Sequence, residues 1–236
     1  MNKTTQKKVL DIVLSLIILI FTLPVILILL LTVFIITKRS PVLIQERRLS
    51  FGSKKIKMIK LRTIKGNCPI RESTNNSGEI LFRYDLKKYV PPFCGWLRKS
   101  GLDEITQLIN VLKGEMSLVG PRPLTISDLE IMKKFEPEIY ERREKLKSRP
   151  GITGYWQIFG DRNKGLENLV ALDEYYERKK SSLLDLRLLL STIVLVMTAK
   201  HSDSIIDSKM IDLKEPREVV SELKELVFRF LTSSIC

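Results

Sequence analysis

The sequence predicts a mostly helical α+β protein, with an N-terminal membrane helix followed by a small α/β domain that carries interfacial amphipathic helices. Residues 9–37 are almost entirely apolar, which is longer than the roughly 20 residues that a membrane-crossing helix needs. Short runs typical of strands follow between residues 42 and 63, and most later apolar runs have helical spacing. We therefore divide the chain into a membrane segment (1–39), a globular domain (40–200) and an amphipathic tail (201–236).

Pro24 lies near the middle of the apolar segment and decides how that segment is expected to meet the membrane. It removes one helical hydrogen bond and crowds the preceding turn, leaving two pieces of about 15 residues that are each too short to cross about 30 Å of hydrocarbon. Lys7 and Lys8 precede the segment and Lys38 follows it, so the positive-inside rule favours two cytoplasmic flanks. A re-entrant segment bent at Pro24 satisfies both observations. An ordinary kinked transmembrane helix is the alternative, since prolines are tolerated there.

The overall charge indicates an anionic partner. The chain has 40 Lys and Arg against 27 Asp and Glu, a formal net charge of +13, which fits anionic lipid, a phosphorylated substrate or nucleic acid. Nucleic acid ranks last because aromatic residues are not interleaved with the basic ones. Cys68, Cys94 and Cys236 lack the spacing of a zinc site or disulfide framework. The single histidine, His201, lies in a polar stretch, so histidine-based catalysis is not expected.

An acidic pair, Asp103 and Glu104, opens a predicted helix that ends near Gly114. Its apolar positions recur at i, i+3, i+4 and i+7, as one helical face requires. They are Ile105, Leu108, Ile109 and Leu112. Free backbone N–H groups favour negative charge at this end of a helix. Asp103 is therefore either a simple N-cap or a carboxylate placed for chemistry.

Arg122 lies between Pro121 and Pro123 in the segment that follows this helix. A residue before proline is disfavoured in the helical region and tends to be extended. An arginine held in this way loses little conformational entropy when it binds a phosphate group. The acidic pair and Arg122 together indicate phosphate chemistry.

The remaining runs predict a hairpin, several helices and one further strand. The hairpin covers residues 42–63 around Gly52, and a change of phase between Met58 and Ile59 predicts a bulge that separates Lys60 and Arg62 from the earlier lysines. Helices are predicted over 81–89, 93–98, 127–135, 137–147, 166–180 and 183–199, the fourth with a basic outer face. A strand is predicted at 155–158, and loops at 65–79 and 160–163.

Four sequence blocks resemble the bacterial sugar transferases, the small monotopic phosphoglycosyl transferases. The blocks are 40–42 with Gln45, 60–63, 102–123, and 149–154 with Gln157, Gly160, Arg162 and Asn163. The third block is long and highly specific, and the likeness covers roughly residues 5–200. One departure is the run 155–161, which replaces the usual tryptophan-alanine-glutamine-valine-asparagine-glycine and includes an inserted Asp161. The sugar therefore stays unidentified.

The resemblance implies an enzyme at the cytoplasmic face of the bacterial inner membrane. It would transfer a sugar 1-phosphate from a UDP-sugar to polyprenol phosphate, releasing UMP, as the first step of surface polysaccharide or glycoconjugate synthesis. Asp103 would be the nucleophile and a Mg²⁺ ligand, and Glu104 would bind metal, position Asp103 or activate the acceptor. The resemblance also favours the re-entrant form of the membrane segment, with its break at Pro24.

Candidate substrate-binding residues come from the same blocks and from the basic residues near the acidic pair. They are Lys60, Arg62, Arg98, Pro121, Arg122, Pro123, Arg149, Gln157, Arg162 and Asn163. Anionic membrane lipids and a second copy of the chain are further candidate partners. The competing hypothesis is a non-enzymatic membrane adaptor that uses its basic surface on anionic lipid. It accounts for the charge and the anchor but not for the acidic pair or Arg122.

Overall fold

The computed structural model describes residues 3–50, 52–66, 89–160 and 165–199. Within these ranges the chain is mostly helical, with two small two-stranded sheets, which confirms the predicted fold class. The tail 201–236, Arg162, Asn163, most of the loop 65–79 and nearly all of the helix predicted over 81–89 lie outside these ranges.

Most of the helices follow the predicted segments closely. They are α1 (Lys3–Thr37), α2 (Pro92–Ser100), a 3₁₀ helix (Leu102–Gln107), α3 (Leu108–Leu112), α4 (Ile126–Phe135), α5 (Pro137–Glu144), α6 (Tyr155–Phe159), α7 (Gly165–Lys179) and α8 (Ser182–Thr198). Strands β1 (Val42–Arg47) and β2 (Ile56–Leu61) pair antiparallel, and β3 (Ser117–Val119) pairs parallel with β4 (Gly151–Thr153).

Helix α1 is the one helix in the described part of the chain that is long and apolar enough to cross a membrane, judged by length and composition. Its helical structure continues through Pro24, so the structure does not contain the interruption that we predicted at this residue. The strongly apolar turns on both sides remain helical, and Thr22 Oγ1 donates to the Ile18 carbonyl one turn earlier at 2.7 Å. Most of the side chains near the middle of α1 are exposed, and Phe21 is 79% exposed.

Polar contacts fix the N-terminal part of α1 to the globular domain. The buried carboxylate of Asp11 accepts hydrogen bonds from Ser117 Oγ at 2.7 Å and Arg149 Nη2 at 3.2 Å. One turn earlier, Lys7 Nζ donates to Asp185 Oδ2 on α8 at 2.5 Å. These three contacts are charged or charge-assisted, which is the stronger class of hydrogen bond.

Apolar contacts fix the C-terminal part of the same helix. Leu29 and Val33 are buried in a cluster with Leu61 at the end of β2 and Leu97 on α2. Each of these side chains loses most of its contact with solvent, and burial of such a side chain stabilises by roughly 1.5–3 kcal/mol. Both ends of α1 therefore contact one globular domain, while the turn around Phe21 in its middle is largely exposed.

The hairpin has the predicted strands but lacks the predicted bulge. Its pairing is one-to-one from Val42 opposite Leu61 to Arg47 opposite Ile56. Lys60 follows Met58 by two residues, so in an unbulged strand the two side chains lie on the same side of the sheet. Lys60 is thus directed by the regular alternation of β2 and not by a local distortion.

Two other local predictions are wrong. Residues 155–158 form part of α6 and not a strand, and all four are buried, which the period of two of a half-buried strand does not allow. The acidic pair lies in a 3₁₀ helix, and the α-helical turns begin only at Leu108. The predicted apolar stripe is displaced as well, since Ile109 is exposed while Asn110 and Val111 are buried.

The outer face of α8 is a row of large apolar side chains at helical spacing. Each member is more than half exposed, and the row consists of Leu183, Leu186, Leu190, Ile193 and Met197. Exposed apolar rows of this kind are typical of helices that lie at a membrane surface. For the helix predicted over 183–199 the sequence allows either a core helix or one at the membrane interface, and the exposed row favours the second.

We expect Asp11→Asn to destabilise the protein by about 1–3 kcal/mol, because hydrogen bonds that involve charged groups are worth about this much. Chemical denaturation in detergent micelles measures the effect. The matched control is Glu46→Gln, which removes an exposed pair with Lys55 at 3.5 Å and should cost less than about 1 kcal/mol. Equal losses in both variants would contradict a specific role of Asp11 in docking α1.

Candidate functional site

A cleft of about 240 Å³, open to solvent, lies between β2, the 3₁₀ helix and the segment around Arg122. Its walls carry charged, amide and indole groups together with a few apolar ones. The lining residues are Arg47, Met58, Lys60, Glu104, Gln107, Arg122, Pro123, Gly151, Ile152 and Trp156. Of the predicted site residues, the cleft therefore brings together Lys60, Glu104, Arg122 and Pro123.

The 3₁₀ helix determines which of its side chains reach the cleft. With three residues per turn, positions i and i+3 lie directly above one another, so Glu104 and Gln107 share the face that lines the cleft. Lys60 Nζ from β2 donates to Glu104 Oε1, and both side chains are nearly buried, at 13% and 9% exposure. Glu104 is thus held by an ion pair before any ligand binds.

Asp103 lies on a different face of the same helix. It precedes Glu104 by one residue, a rotation of about 120°, and it is half-buried and absent from the residues that line the cleft. Asp103 acts on Cys94 of α2, where burial and then the negative charge of Asp103 raise the pKa of the thiol. The two acidic side chains are therefore directed to different surroundings.

Arg122 is held by contacts to its backbone as well as to its side chain. Its backbone N–H donates to the Asp173 carboxylate at 3.2 and 3.3 Å, and its carbonyl accepts from Arg143 Nη2. Its guanidinium carbon lies 3.8 Å from the centre of the Trp156 ring. Stacking of this kind holds the planar guanidinium at a fixed angle, so Arg122 is oriented toward the cleft.

Arg143 and Asp173 form a fully buried ion pair behind Arg122. Their side chains are 0% and 1% exposed, and Arg143 Nη1 donates to Asp173 Oδ2 at 3.1 Å. Arg143 Nε also donates to the Leu49 carbonyl at 2.7 Å. Burial raises the pKa of Asp173 to about 6, although the charge of Arg143 acts to lower it. Burial shifts the pKa of Arg143 in the opposite direction and lowers it, because burial disfavours the charged form of each group.

Sequence reasoning missed this pair and placed a basic outer face on α5, which is wrong for Arg143. One signal was available. Leu166, Val170 and Asp173 recur at i, i+4 and i+7 on α7, so Asp173 lies on the apolar face and needed a buried partner. For Arg143 no such signal exists, because it lies in a basic run between Arg142 and Lys145.

The other predicted binding residues lie outside the cleft lining. Arg62 Nε donates to the Ser40 carbonyl at 2.7 Å, and Arg98 Nη1 donates to Thr63 Oγ1 at 3.3 Å. Arg149 donates to the Met116 carbonyl and to Asp11, so in this structure it anchors α1.

Two further predicted binding residues, Gln157 and Pro121, do not line the cleft. Gln157 is buried on α6. Six residues that do line it were absent from the predicted set, namely Arg47, Met58, Gln107, Gly151, Ile152 and Trp156.

The carboxylates available at the site fit a magnesium ion that is shared with a substrate. The described residues contain no group of three or more His, Cys, Asp or Glu side chains that could hold a metal by themselves. Mg²⁺ is commonly bound through one or two carboxylates together with substrate phosphates, and this donor set needs no such group. A metal ion at Glu104 would compete with its ion pair to Lys60, whereas Asp103 is the ligand that the family resemblance implies.

We expect Arg143→Met to destabilise the protein by about 3–5 kcal/mol, because it leaves the buried Asp173 carboxylate without its partner. The adjacent Arg142 is the matched control. It pairs with Glu167 and Glu174 at the surface, with its side chain 33% exposed, so Arg142→Met should cost about 1 kcal/mol or less. Chemical denaturation of both variants measures the difference, and similar losses would contradict the role of the buried pair.

The same variant should change the pH dependence of stability. The folded pKa of Asp173, about 6, lies above its ordinary value of 3.8, so the stability linked to its proton is present below about pH 4 and is lost as the pH rises toward 6. Removal of Arg143 withdraws the charge that lowers this pKa. In Arg143→Met the free energy of unfolding should therefore continue to fall as the pH rises above 6. In the wild type, the contribution of Asp173 to this free energy no longer changes above pH 6. Denaturation between pH 5 and 8 distinguishes the two.

Several bacterial proteins are similar to part of this chain. The exopolysaccharide production protein ExoY of Sinorhizobium fredii is 42% identical over 106 residues, covering 45% of this chain and 44% of that protein. The undecaprenyl-phosphate galactose phosphotransferase of Salmonella typhimurium is 37% identical over 102 residues, covering 43% and 20%. The UDP-glucose:undecaprenyl-phosphate glucose-1-phosphate transferase of Xanthomonas campestris is 31% identical over 169 residues, covering 68% and 32%.

The similarity to the family as a whole extends further along the chain than the similarity to any of these three relatives. The chain spans less than half the length of each of them. The family described as bacterial sugar transferase, in contrast, matches residues 2–199, which includes α1, the acidic pair and every residue that lines the cleft. The protein therefore belongs to the bacterial sugar transferase family.

Proposed function

We propose that the protein transfers a sugar 1-phosphate from a UDP-sugar to a membrane polyprenol phosphate and releases UMP. The reaction would begin the synthesis of a surface polysaccharide or glycoconjugate. Family membership and the activities for which the relatives from Salmonella and Xanthomonas are named support this reaction class. The observation that carries the proposal is the cleft in which Lys60, Glu104 and Arg122 meet.

The charges of the cleft suit a diphosphate. Three cationic side chains, Arg47, Lys60 and Arg122, line it together with the single carboxylate of Glu104. Lys60 pairs with Glu104, and Arg47 lies 3.8 Å from the Asp128 carboxylate. The three cations that line the cleft still outnumber its one carboxylate, which favours a ligand with excess negative charge. Arg122 requires little reorganisation on binding, since its backbone and its guanidinium are both held, and preorganised charge is the most effective kind for stabilising a transition state.

Asp103 is the proposed nucleophile. Its carboxylate oxygen would attack the sugar-proximal phosphorus of the UDP-sugar, the bond from that phosphorus to the bridging oxygen would break, and UMP would leave with the bond's electrons. An oxygen of the polyprenol phosphate would then attack the same phosphorus, release the Asp103 carboxylate and give the lipid diphosphate sugar. Carboxylates act as nucleophiles in this way in other covalent mechanisms. The assignment of Asp103 rests on the resemblance to the family and on its place in the 3₁₀ helix whose Glu104 and Gln107 line the cleft.

The other groups around the acidic pair have supporting roles in this proposal. Mg²⁺ bound at Asp103 and the substrate phosphates would screen the diphosphate charge and stabilise the departing UMP. Lys60 would hold Glu104 at the edge of the cleft and offer charge to the phosphates. Glu104 itself would position the site, since a carboxylate that is buried and ion-paired is poorly placed to attack.

Helix α1 is proposed to hold the cleft at the depth of the lipid headgroups, on the cytoplasmic face of the inner membrane. Both of its ends contact the same domain while its apolar middle is exposed. A re-entrant segment would have these properties, because its two ends lie on one side of the membrane. The non-enzymatic adaptor remains the competing hypothesis. It explains the anchor and the net charge but assigns no role to the cleft.

The purified full chain in lipid nanodiscs should release UMP from a UDP-sugar only when polyprenol phosphate and Mg²⁺ are both present in multiple-turnover conditions. A screen of several UDP-sugars is needed because the sugar is not identified. Addition of EDTA should abolish release, and excess Mg²⁺ should restore it. Absence of release with every UDP-sugar in the complete system would favour the adaptor.

Asp103→Asn should abolish UMP release, with a loss of at least about 1,000-fold, because it removes the nucleophile. In a quenched single-turnover experiment with labelled UDP-sugar alone, the wild type should retain phosphosugar covalently and this variant should not. Glu104→Gln is the matched comparison and should keep the covalent label, since it leaves the Asp103 carboxylate in place. Wild-type turnover by Asp103→Asn would refute the assignment of the nucleophile.

Labelling of single cysteines tests the proposed membrane placement. Cys68, Cys94 and Cys236 are first replaced by serine, and Gln6→Cys and Arg39→Cys are then introduced separately on the two sides of the apolar segment. In a re-entrant arrangement both sites react with a membrane-impermeant maleimide from the cytoplasmic side of inverted vesicles. Reaction of the two sites from opposite sides of the membrane would instead establish a transmembrane helix.

A further inference from the structure

Two buried N–H groups at the cleft have no hydrogen-bond acceptor among the described residues. They are the indole Nε1 of Trp156 and the carboxamide Nε2 of Gln107, whose residues are 5% and 1% exposed. Both residues line the cleft. A buried donor without an acceptor carries a desolvation penalty, and such groups in folded proteins call for an explanation. An acceptor supplied by a ligand would remove the penalty at both groups.

The surroundings of these two donors select the kind of acceptor. Arg122 lies over the Trp156 ring, and Lys60 and Arg47 line the same cleft with only one carboxylate, Glu104. An oxygen that accepts from two neutral donors beside these cations is best satisfied when it belongs to an anion. A phosphoryl oxygen has this charge and can accept several hydrogen bonds at once.

Trp156 is held rigidly enough to act as a recognition group. Its ring is packed against Arg122, whose backbone is bonded to Asp173. The chain also approaches the ring closely at Gly154, where a Cβ atom would lie 3.2 Å from Trp156 Nε1 and 2.3 Å from the Gly120 carbonyl oxygen. A side chain at position 154 would therefore displace either the ring or the backbone.

Gln107 places the second donor next to the acidic pair. It lies one turn of 3₁₀ helix after Glu104 and on the same face. Its position is fixed by burial, and the preceding residue, Thr106, is bonded through Oγ1 to the Ile59 carbonyl of β2 at 3.0 Å. The donor is thus carried by the same short element as the proposed nucleophile.

We propose that Trp156 and Gln107 are substrate-binding residues that donate together to phosphoryl oxygen of the substrate bound beside Arg122. This inference rests on the proposed function, because it assigns a ligand to the same cleft. The nucleotide diphosphate and the prenyl phosphate offer the same oxygen chemistry, so the test includes both.

The two tryptophans of the chain, Trp96 and Trp156, allow a direct binding measurement. Trp96 is 46% exposed on α2 and does not line the cleft, so Trp96→Phe leaves Trp156 as the single indole fluorophore. Titration of this full-length variant in nanodiscs with UDP, with UMP and with farnesyl phosphate should change the Trp156 emission in a saturable way for the ligand that the donor pair contacts. Inorganic phosphate serves as the minimal probe.

Conservative substitutions then separate the donated hydrogen bond from packing. Trp156→Phe keeps an aromatic ring beneath Arg122 but lacks the N–H, and Gln107→Met keeps the side-chain length without a donor. Each should weaken binding of UDP, or of farnesyl phosphate if the lipid is the source, by about 10-fold in calorimetric titrations. The KM for the corresponding substrate should rise in parallel, and Trp96→Phe should bind within about twofold of the wild type.

Wild-type affinity of both donor variants for UDP and for farnesyl phosphate would overturn the inference. If the wild type still releases UMP in that case, the proposed function stands and only the inference about the two donors fails. If the wild type neither binds UDP nor releases UMP, both fail together. Should Trp156→Phe lower the thermal unfolding midpoint by more than about 10 °C, the result for Gln107→Met decides the question alone.

Discussion

The buried guanidinium of Arg143 is the contact on which the candidate site most depends. It joins three parts of the chain that are distant in sequence, through the Leu49 carbonyl, the Arg122 carbonyl and the Asp173 carboxylate. Because five donors diverge from one planar group, a single arginine can fix the end of the hairpin, the segment after β3 and helix α7 together. The position of the Arg122 side chain over the cleft follows from this arrangement. A lysine would not reproduce it, since its ammonium lacks the planar fork.

The 3₁₀ geometry of residues 102–107 gives the two adjacent acids different environments. Glu104 shares a face with Gln107 and meets Lys60, whereas Asp103 is rotated away by about 120°. A pair of carboxylates on one face would repel each other and raise one pKa. With the two separated, Glu104 pairs with Lys60 and Asp103 lies in different surroundings.

The sequence was sufficient for features that depend on local pattern. The apolar length of α1, the hairpin and the positions of α4, α7 and α8 all follow from periodicity and capping signals, such as the Thr125 and Asp128 capping box of α4. Features that depend on tertiary contact were not predicted. The predicted bulge at Met58 is absent, since Gln45 pairs with Met58 and Ile44 with Ile59 in an unbroken register. The run 155–158 has strand-forming residues, but it is helical and all four residues are buried, whereas a half-buried strand would show alternating burial.

The same distinction explains which site residues were found. Lys60, Glu104 and Arg122 were identified because charged residues in an otherwise apolar or proline-flanked context are conspicuous. Arg149 was assigned to substrate because a sequence does not reveal that an acid in a membrane helix needs a partner from the globular domain. Asp11 in α1 is that acid, and its bonds to Arg149 and Ser117 satisfy a charge that would be costly in an apolar segment. An arginine predicted to bind substrate thereby fixes the N-terminal part of α1 to the globular domain. In the proposed membrane placement, this contact would help to set the depth of the cleft relative to the lipid surface.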